Sequence, residues 1–366
     1  MESNHYDVVV VGAGLSGLTA AGLAAQQGLK VALVASGPGS FVLRAGYLKT
    51  RQMFAADAAP DMGEAITFFC EMANFAGFPF EGDPFLSRYL PTILGGFESV
   101  ALAPRVLWNA EPGNGSSTAI VGVRELSYFD ENFMAERMRE QARLLGYSAA
   151  YSARSISLDG FCQAPTTTLR IARRFDCDAA FRAELVSALR TAAVGVDRIL
   201  IPSMLGLYSS DQQLAQIERE VGCALCEMPT LPPSIPGLRL FHLLSRFLHK
   251  SGVEFYEGFP VEKLNLREDE SVELQIASPG HPMTVHGECV VMATGMSPSS
   301  LKSGIGTGHD EQMHPHISAG SALAANIFTT EPALQSAGFN VDAMEILTGY
   351  RAGKLAAATR GHNAAR

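Results

Sequence analysis

Gly12, Gly14 and Gly17 are the residues whose spacing implies chemistry most directly. They lie in the run Asp7 to Gly17, D-V-V-V-V-G-A-G-L-S-G. Each glycine has a separate physical job. Gly12 permits a tight turn from strand to helix. Gly14 lets backbone amides approach a phosphate, and Gly17 lets the helix pack closely on the strand. The four valines before them predict a short buried strand. The pattern from Leu15 to Gln27 predicts a helix whose N-terminal amides and dipole face the anion. Gly28 stops that helix, and Lys30–Val34 supplies a second strand. The expected phosphate site therefore uses Gly12, Gly14, Leu15, Ser16 and Gly17, with the loop through Ser36, Gly37 and Ser40 covering it. A glycine-rich turn that binds nothing is the alternative.

The same motif lacks one group. An adenine dinucleotide site ordinarily ends its second strand with Asp or Glu, which holds ribose hydroxyls. Here the strand ends Val34-Ala35-Ser36-Gly37. Either the ligand has no adenosine in that slot, as with FMN, or an FAD site holds its ribose in another way.

Other reactive residue types give weaker patterns. Cys223-Ala-Leu-Cys226 has C-x-x-C spacing but not the four thiolates of a cluster or structural zinc. Its apolar, strand-like setting predicts buried packing rather than a redox relay. His314-Pro-His316 has no third ligand at recognisable spacing, so no metal is expected. Arg173 and Arg239 could each grip an anion bidentately or serve in a structural ion pair. No Ser-His-Asp order or carboxylate pair stands out, so no catalytic side chain is assigned. If the chain catalyses anything alone, a flavin carries the chemistry and the protein orients it.

The elements that must position these groups follow from periodicity. Met62–Phe80 is helical in pattern. Phe80–Gly115 is rich in Pro and Gly and reads as irregular loops and short strands. Ala119–Val123 is a strand. Phe133–Gly146 is an amphipathic helix, with Met134, Met138, Ala142 and Leu145 on one face. Ala179–Val194 is a further helix, leading into the apolar run Ile199–Met204. Pro229–Gly237 carries four prolines and reads as a rigid loop. Leu240, Leu243, Leu244, Phe247 and Leu248 then fall at helical spacing. Val253–Tyr256, Val272–Ile276, Met283–His286 and Cys289–Met292 read as strands, the last ending Ala293-Thr294-Gly295. A final helix spans about Ala343 to Ala358.

Composition sets the bounds. The 366 residues suffice for one large or two ordinary domains. The content is 47% hydrophobic and only 18% charged, which favours much buried surface. A net charge of −9 argues against nucleic acid and against anionic lipid. No apolar run reaches the ~18 residues needed to cross a bilayer. The six scattered cysteines form no disulfide framework. With no export signal apparent, the expected location is cytoplasmic.

Several runs resemble one family, the B subunits of the anaerobic glycerol-3-phosphate dehydrogenase. They are Met228–Leu240, Ile120–Phe133, Arg170–Asp176 and Ile201–Leu207. The resemblance implies an α/β fold of Rossmann type, the FAD/NAD(P)-binding flavoprotein fold, with an inserted cap or substrate domain. The flavin-binding part would comprise residues 1–79 and 229–366, and the insertion residues 80–228. In such a fold Ala293-Thr294-Gly295 would return past the cofactor, and Gly349, near the start of the last helix, would lie by the flavin ring. The family favours FMN, with FAD as the other option. It also implies a sister FAD subunit that oxidises glycerol 3-phosphate to dihydroxyacetone phosphate. An iron–sulfur subunit would pass electrons to quinone, with the chain at the inner membrane only through a partner. The chain departs from the family between Ser300 and Asn326, which is shortened. Glu331-Pro332 follows the Asn326–Thr330 strand, and the glycine run before the last helix is reduced to Gly338 and Gly349. Two rival readings stand beside it: a stand-alone flavin oxidase or dehydrogenase, and a scaffold that has lost its flavin.

Overall fold

The computed structural model describes residues 4–49, 61–84, 86–161, 165–278, 280, 283–295, 305–309, 315–317, 326–330 and 341–363. In chain order the strands are β1 (His5–Val11), β2 (Val31–Ala35), β3 (Leu48–Lys49), β4 (Phe80–Gly82), β5 (Arg88–Pro91), β6 (Phe97–Pro104), β7 (Ser117–Val123), β8 (Ala150–Ile156), β9 (Arg198–Pro202), β10 (Ala224–Met228), β11 (Glu254–Glu257), β12 (Val261–Leu266), β13 (Val272–Ile276), β14 (Met283–Met292), β15 (Ile305–His309), β16 (Pro315–Ile317) and β17 (Ile327–Thr329). The helices are α1 (Leu15–Gln26), α2 (Met62–Phe75), α3 (Arg105–Trp108), α4 (Glu131–Leu144), α5 (Thr168–Cys177), α6 (Ala179–Ala192), α7 (Asp211–Val221), α8 (Ile235–Lys250) and α9 (Val341–Asn363). Two compact units emerge. Unit one holds 1–40, 54–72 and 244–366, and unit two holds 41–53 and 73–243. This division differs from the sequence-read boundaries at 79/80 and 228/229. The 41–46 segment is tied to the proline-rich segment: Ser234 N–H donates to Val42 O at 2.7 Å, and a Cβ on Gly237 would stand 2.1 Å from Phe41 O.

Unit one is built on a sheet ordered β11-β2-β1-β14-β13-β12, with β17 also paired to β14. β1 lies parallel between β2 and β14, and β11 lies parallel to β2. Val8, Val9 and Val10 have no exposed surface, as expected of a strand covered on both faces. Full burial stabilises each such side chain by about 1.5–3 kcal/mol relative to exposure. The sequence reading splits Met283–His286 from Cys289–Met292. The structure makes them one strand of ten residues. Its first half pairs antiparallel with β13, and its second half pairs with β17 on that same edge. Gly287 keeps the strand continuous, since a Cβ there would press on the Val9 side chain at 2.8 Å.

Unit two contains a second parallel sheet, ordered β10-β9-β7-β8. Chain order and spatial order disagree at β7: the chain passes from β7 to β8 on one side, then back across β7 to β9 and β10. Two helices inside this sheet's connections, α5 and α7, are absent from the sequence reading. Thr167 caps α5 and Ser210 caps α7, the latter through a reciprocal capping box with Gln213. α8 starts within the proline-rich run at Ile235, earlier than the leucine spacing alone suggests. The Ser234 hydroxyl accepts from Gly237 N–H at 3.2 Å, and Pro236 falls in the first turn, where its missing N–H costs nothing. His314, Glu331, Pro332 and Gly338 lie outside the described residues, as does most of the shortened 300–326 region.

Candidate functional site

β1 ends at Val11, and the backbone turns at Gly12 with φ +113°. A side chain is strained there, and a Cβ would stand 2.1 Å from Ala293 O. Gly12 N–H donates to Val34 O at 2.8 Å, which ties the turn to β2. One turn later, a Cβ on Gly17 would stand 1.9 Å from Gly12 O. Gly14 differs from both: a Cβ there would meet nothing within 4 Å. Among the described residues no neighbour explains this glycine, whereas a ligand resting against the backbone would.

Gly14 is the N-terminal flanking residue of α1, and no side chain caps this helix end. The cap residue therefore supplies no side-chain acceptor to the free amides of the first turn. Gly39 follows β2 and approaches closely, a Cβ there standing 4.0 Å from Gly14 N. Ser36 and Ser40 are exposed on that loop, and Gly37 is half-buried. From the other strand, Ala293 N–H donates to Val11 O at 2.8 Å, so Thr294 and Gly295 leave β14 beside the Gly12 turn. The structure thus brings Gly12, Gly14, Leu15, Ser16, Gly17, the 36–40 loop, Thr294 and Gly295 to one edge of the sheet.

Sequence reasoning missed Thr330. Its buried hydroxyl donates to Ser16 Oγ at 3.0 Å across 314 positions of sequence. The only local signal is a threonine directly after β17.

Gly349 has a packing explanation. A Cβ there would stand 2.2 Å from Ser16 O, and one on Gly353, a turn later, 2.9 Å from Ala20 O. α9 thus lies against α1 through small residues, and nothing further is needed to account for Gly349.

The two candidate arginines separate. Arg239 is fully buried and donates to Glu227 Oε2 at 2.7 Å, to Glu227 Oε1 at 3.2 Å and, through Nε, to Gly206 O at 2.9 Å. Its guanidinium is committed to a structural ion pair and has no open face for an anion, which corrects the anion-binding expectation for this residue. Glu227 also accepts from Met204 and Leu205 N–H, both at 2.9 Å, so this pair fixes the loop after β9. Arg173 is exposed, with no carboxylate partner among the described residues.

Cys226 is fully buried, and burial pushes its thiol up to about 12. Cys223 is partly buried and also pushed up by desolvation. Thiols held protonated are poor electron relays, in keeping with the packing reading. Among the described residues no cluster of His, Cys, Asp and Glu could hold a metal. Nor is any helix among them long and apolar enough to cross a membrane.

Residues 7–49, which span the glycine turn and the loop after β2, match the family model described as FAD binding domain. The chain is 22% identical to the B subunit of anaerobic glycerol-3-phosphate dehydrogenase from Glaesserella parasuis, over 92% of this chain and 88% of that one. It is 27% identical to the same subunit from Pectobacterium atrosepticum, over 85% and 79%. Solved structures include THI4 of Thermovibrio ammonificans (12% identity, 99% and 91% covered, TM-score 0.34). L-proline dehydrogenase of P. horikoshii also matches (12%, 80% and 54%, TM-score 0.34). The chain resembles these dehydrogenase B subunits along most of its length, and its opening segment matches the FAD binding domain model.

Proposed function

We propose that this chain is the flavin-binding subunit of a dehydrogenase of the glycerol-3-phosphate type, working with partner subunits. The observation that carries the reading is Gly14, whose missing side chain leaves open space at the uncapped start of α1. The phosphate end fits a flavin nucleotide. The first-turn amides and the positive end of α1 would meet the phosphate charge, and the 36–40 loop would cover it. Thr330 would hold the Ser16 hydroxyl in place. When bound, a flavin supplies two-electron redox chemistry, which suits oxidation of a secondary alcohol to a ketone.

FAD is the flavin of this reading, in line with the description of the matching family model. The ribose carboxylate missing at Ala35 then needs a substitute. Glu257 pairs in register with Ala35 on the neighbouring strand and is exposed there. Unit one is the flavin-binding unit, and unit two the substrate or partner unit. Electrons from glycerol 3-phosphate would pass through a sister FAD subunit and an iron–sulfur subunit towards quinone.

The test is the absorbance spectrum of the purified chain, followed by release of any chromophore. A yellow protein releasing FAD is the expected result. Released FMN would keep the redox role but overturn the Glu257 assignment. A colourless protein that refuses added flavin would overturn the redox role itself.

A further inference from the structure

α1 ends on a cleft that the flavin site does not use. Its twelve residues carry that end about 18 Å from Gly14. The cleft measures about 540 Å³ and lies within unit one. Its walls are the last turn of α1, the outer face of α2 and Tyr350 of α9. Glu64, Phe68 and Glu71 share one face of α2, because residues three, four and seven apart are neighbours on a helix. Ala65, Ile66, Phe69 and Met72 form the opposite face and are buried.

The charge of the cleft is negative. The carboxyl end of α1 carries the negative end of its dipole, and no basic residue lies in its last turn. Lys30, just beyond, stands over the Tyr6 ring instead, 4.8 Å from the centroid. One end of the cleft already holds a cation. Lys354 Nζ lies 5.6 Å from the Tyr350 ring centroid and 3.5 Å from Glu64 Oε2, and the Tyr350 hydroxyl donates to the same oxygen at 3.1 Å.

The other end repeats this pairing of ring and carboxylate. The Phe68 and Tyr350 centroids are 5.8 Å apart, and Glu71 follows Phe68 by one turn. Glu71 is exposed and has no hydrogen bond or ion pair among the described residues. An aromatic face beside an uncommitted carboxylate suits a guanidinium better than an ammonium, because the planar fork stacks and pairs at once. Gly63 adds a separate sign. It lines the cleft in the first turn of α2 without a left-handed φ, and a Cβ there would meet nothing within 4 Å. Among the described residues neither a turn nor a close neighbour calls for this glycine, whereas a segment lying across the rim would.

We propose that this cleft receives an arginine side chain of a partner subunit, with its guanidinium paired to Glu71 and stacked on Phe68. The exposed walls decide between a tethered and a free cation. A free one would lose all its translational freedom for a few contacts, whereas a docked arginine shares that loss with the rest of an interface. The existence of a partner subunit rests on the function proposed above. The preference for a guanidinium rests on the cleft alone.

The experiment has two arms, each run on wild type, Glu71→Gln and Thr67→Arg. Both substituted residues are exposed, so the variants are expected to fold, and thermal melting checks this. The first arm titrates the purified chain with N-acetyl-arginine amide and with its uncharged analogue N-acetyl-citrulline amide, followed by NMR. The arginine probe is expected to bind about tenfold more tightly than the citrulline one, and Glu71→Gln should weaken it about threefold to tenfold. Thr67→Arg supplies a guanidinium one turn from Glu71 and should exclude the probe. The second arm co-expresses the chain with a sister FAD subunit and an iron–sulfur subunit and measures assembly by sedimentation. Both substitutions, and excess arginine probe, should weaken assembly about threefold or more. Equal binding of the two probes would overturn the guanidinium site. Assembly that ignores both substitutions would overturn the docking role, as would absence of assembly. Absorbance of the same samples separates this inference from the flavin reading. A colourless chain that assembles through Glu71 defeats the flavin role and leaves the cleft standing. A yellow chain whose assembly ignores Glu71 does the reverse.

Discussion

The two parallel sheets end in opposite ways. At the carboxyl edge of β1 the chain strips away side chains, with Gly12, Gly14 and Gly17 in six residues and Gly37 and Gly39 across from them. At the carboxyl edge of β9 and β10 it keeps large ones. Arg239 and Glu227 lie fully buried there, and the buried Thr168 and Thr230 join the part-exposed Tyr128. The first edge offers backbone amides and a helix dipole. The second holds a buried ion pair that fixes the loop after β9. Backbone recognition needs absence, so it is written in glycine spacing and readable in eleven residues. Side-chain networks need support from elements far apart in sequence.

The contrast can be broken most severely at Gly12. Gly12→Ala is expected to abolish flavin absorbance and destabilise unit one by more than about 3 kcal/mol, because a positive φ and a blocked Cβ coincide. Absorbance and thermal melting check both. A yellow, stable variant would remove the premise that this edge works by close approach.

Glu227→Ala is the matching blow to the second edge. Leaving Arg239 buried and unpaired is expected to cost about 3–5 kcal/mol. The double variant Glu227→Leu/Arg239→Met should recover much of that. Urea denaturation of the three proteins reads the difference. Loss without recovery would mean that the loop amides of Met204 and Leu205, not the ion pair, need the carboxylate.

Gly14→Ala sharpens the comparison by separating fold from ligand. Among the described residues nothing blocks its methyl, so stability should shift by less than about 1 kcal/mol, as is usual for changes that make no cavity or clash. Flavin affinity should fall about tenfold or more. Equilibrium titration of apoprotein with FAD gives the answer, and an unchanged affinity would mean that the ligand does not rest on Gly14. In the same titration, Glu257→Gln should weaken FAD about threefold to tenfold and leave FMN untouched.

The smallest effect concerns reactivity. At pH 8 the exposed Cys177 should alkylate in the native chain, while Cys226, buried with its thiol pushed up to about 12, should not until the protein unfolds. Mass spectrometry after iodoacetamide treatment detects either outcome.

Legibility followed the range of the interaction. The opening strand, glycine turn, α1 and β2 are readable within about two residues of their observed bounds, since strand, turn and cap signals are local. α4 is readable from its apolar face. α5 and α7 are not, because their signals are short caps, at Thr167 and Ser210, placed before polar helices. Thr330 is invisible, because a threonine after a strand gains meaning only when Ser16 stands 3.0 Å away.

Local sequence dictates that β1, α1 and β2 form a tight glycine turn with an uncapped helix start, because three glycines at fixed spacing leave the backbone little choice. It dictates equally that no carboxylate follows β2. Folding in three dimensions settles the rest: β14 is one strand serving two neighbours, and Gly349 is a packing residue. Arg239 is spent on Glu227, and unit two has its own strand reversal. Each of these depends on which distant segment arrives alongside, and parallel pairing brings together strands tens to hundreds of residues apart.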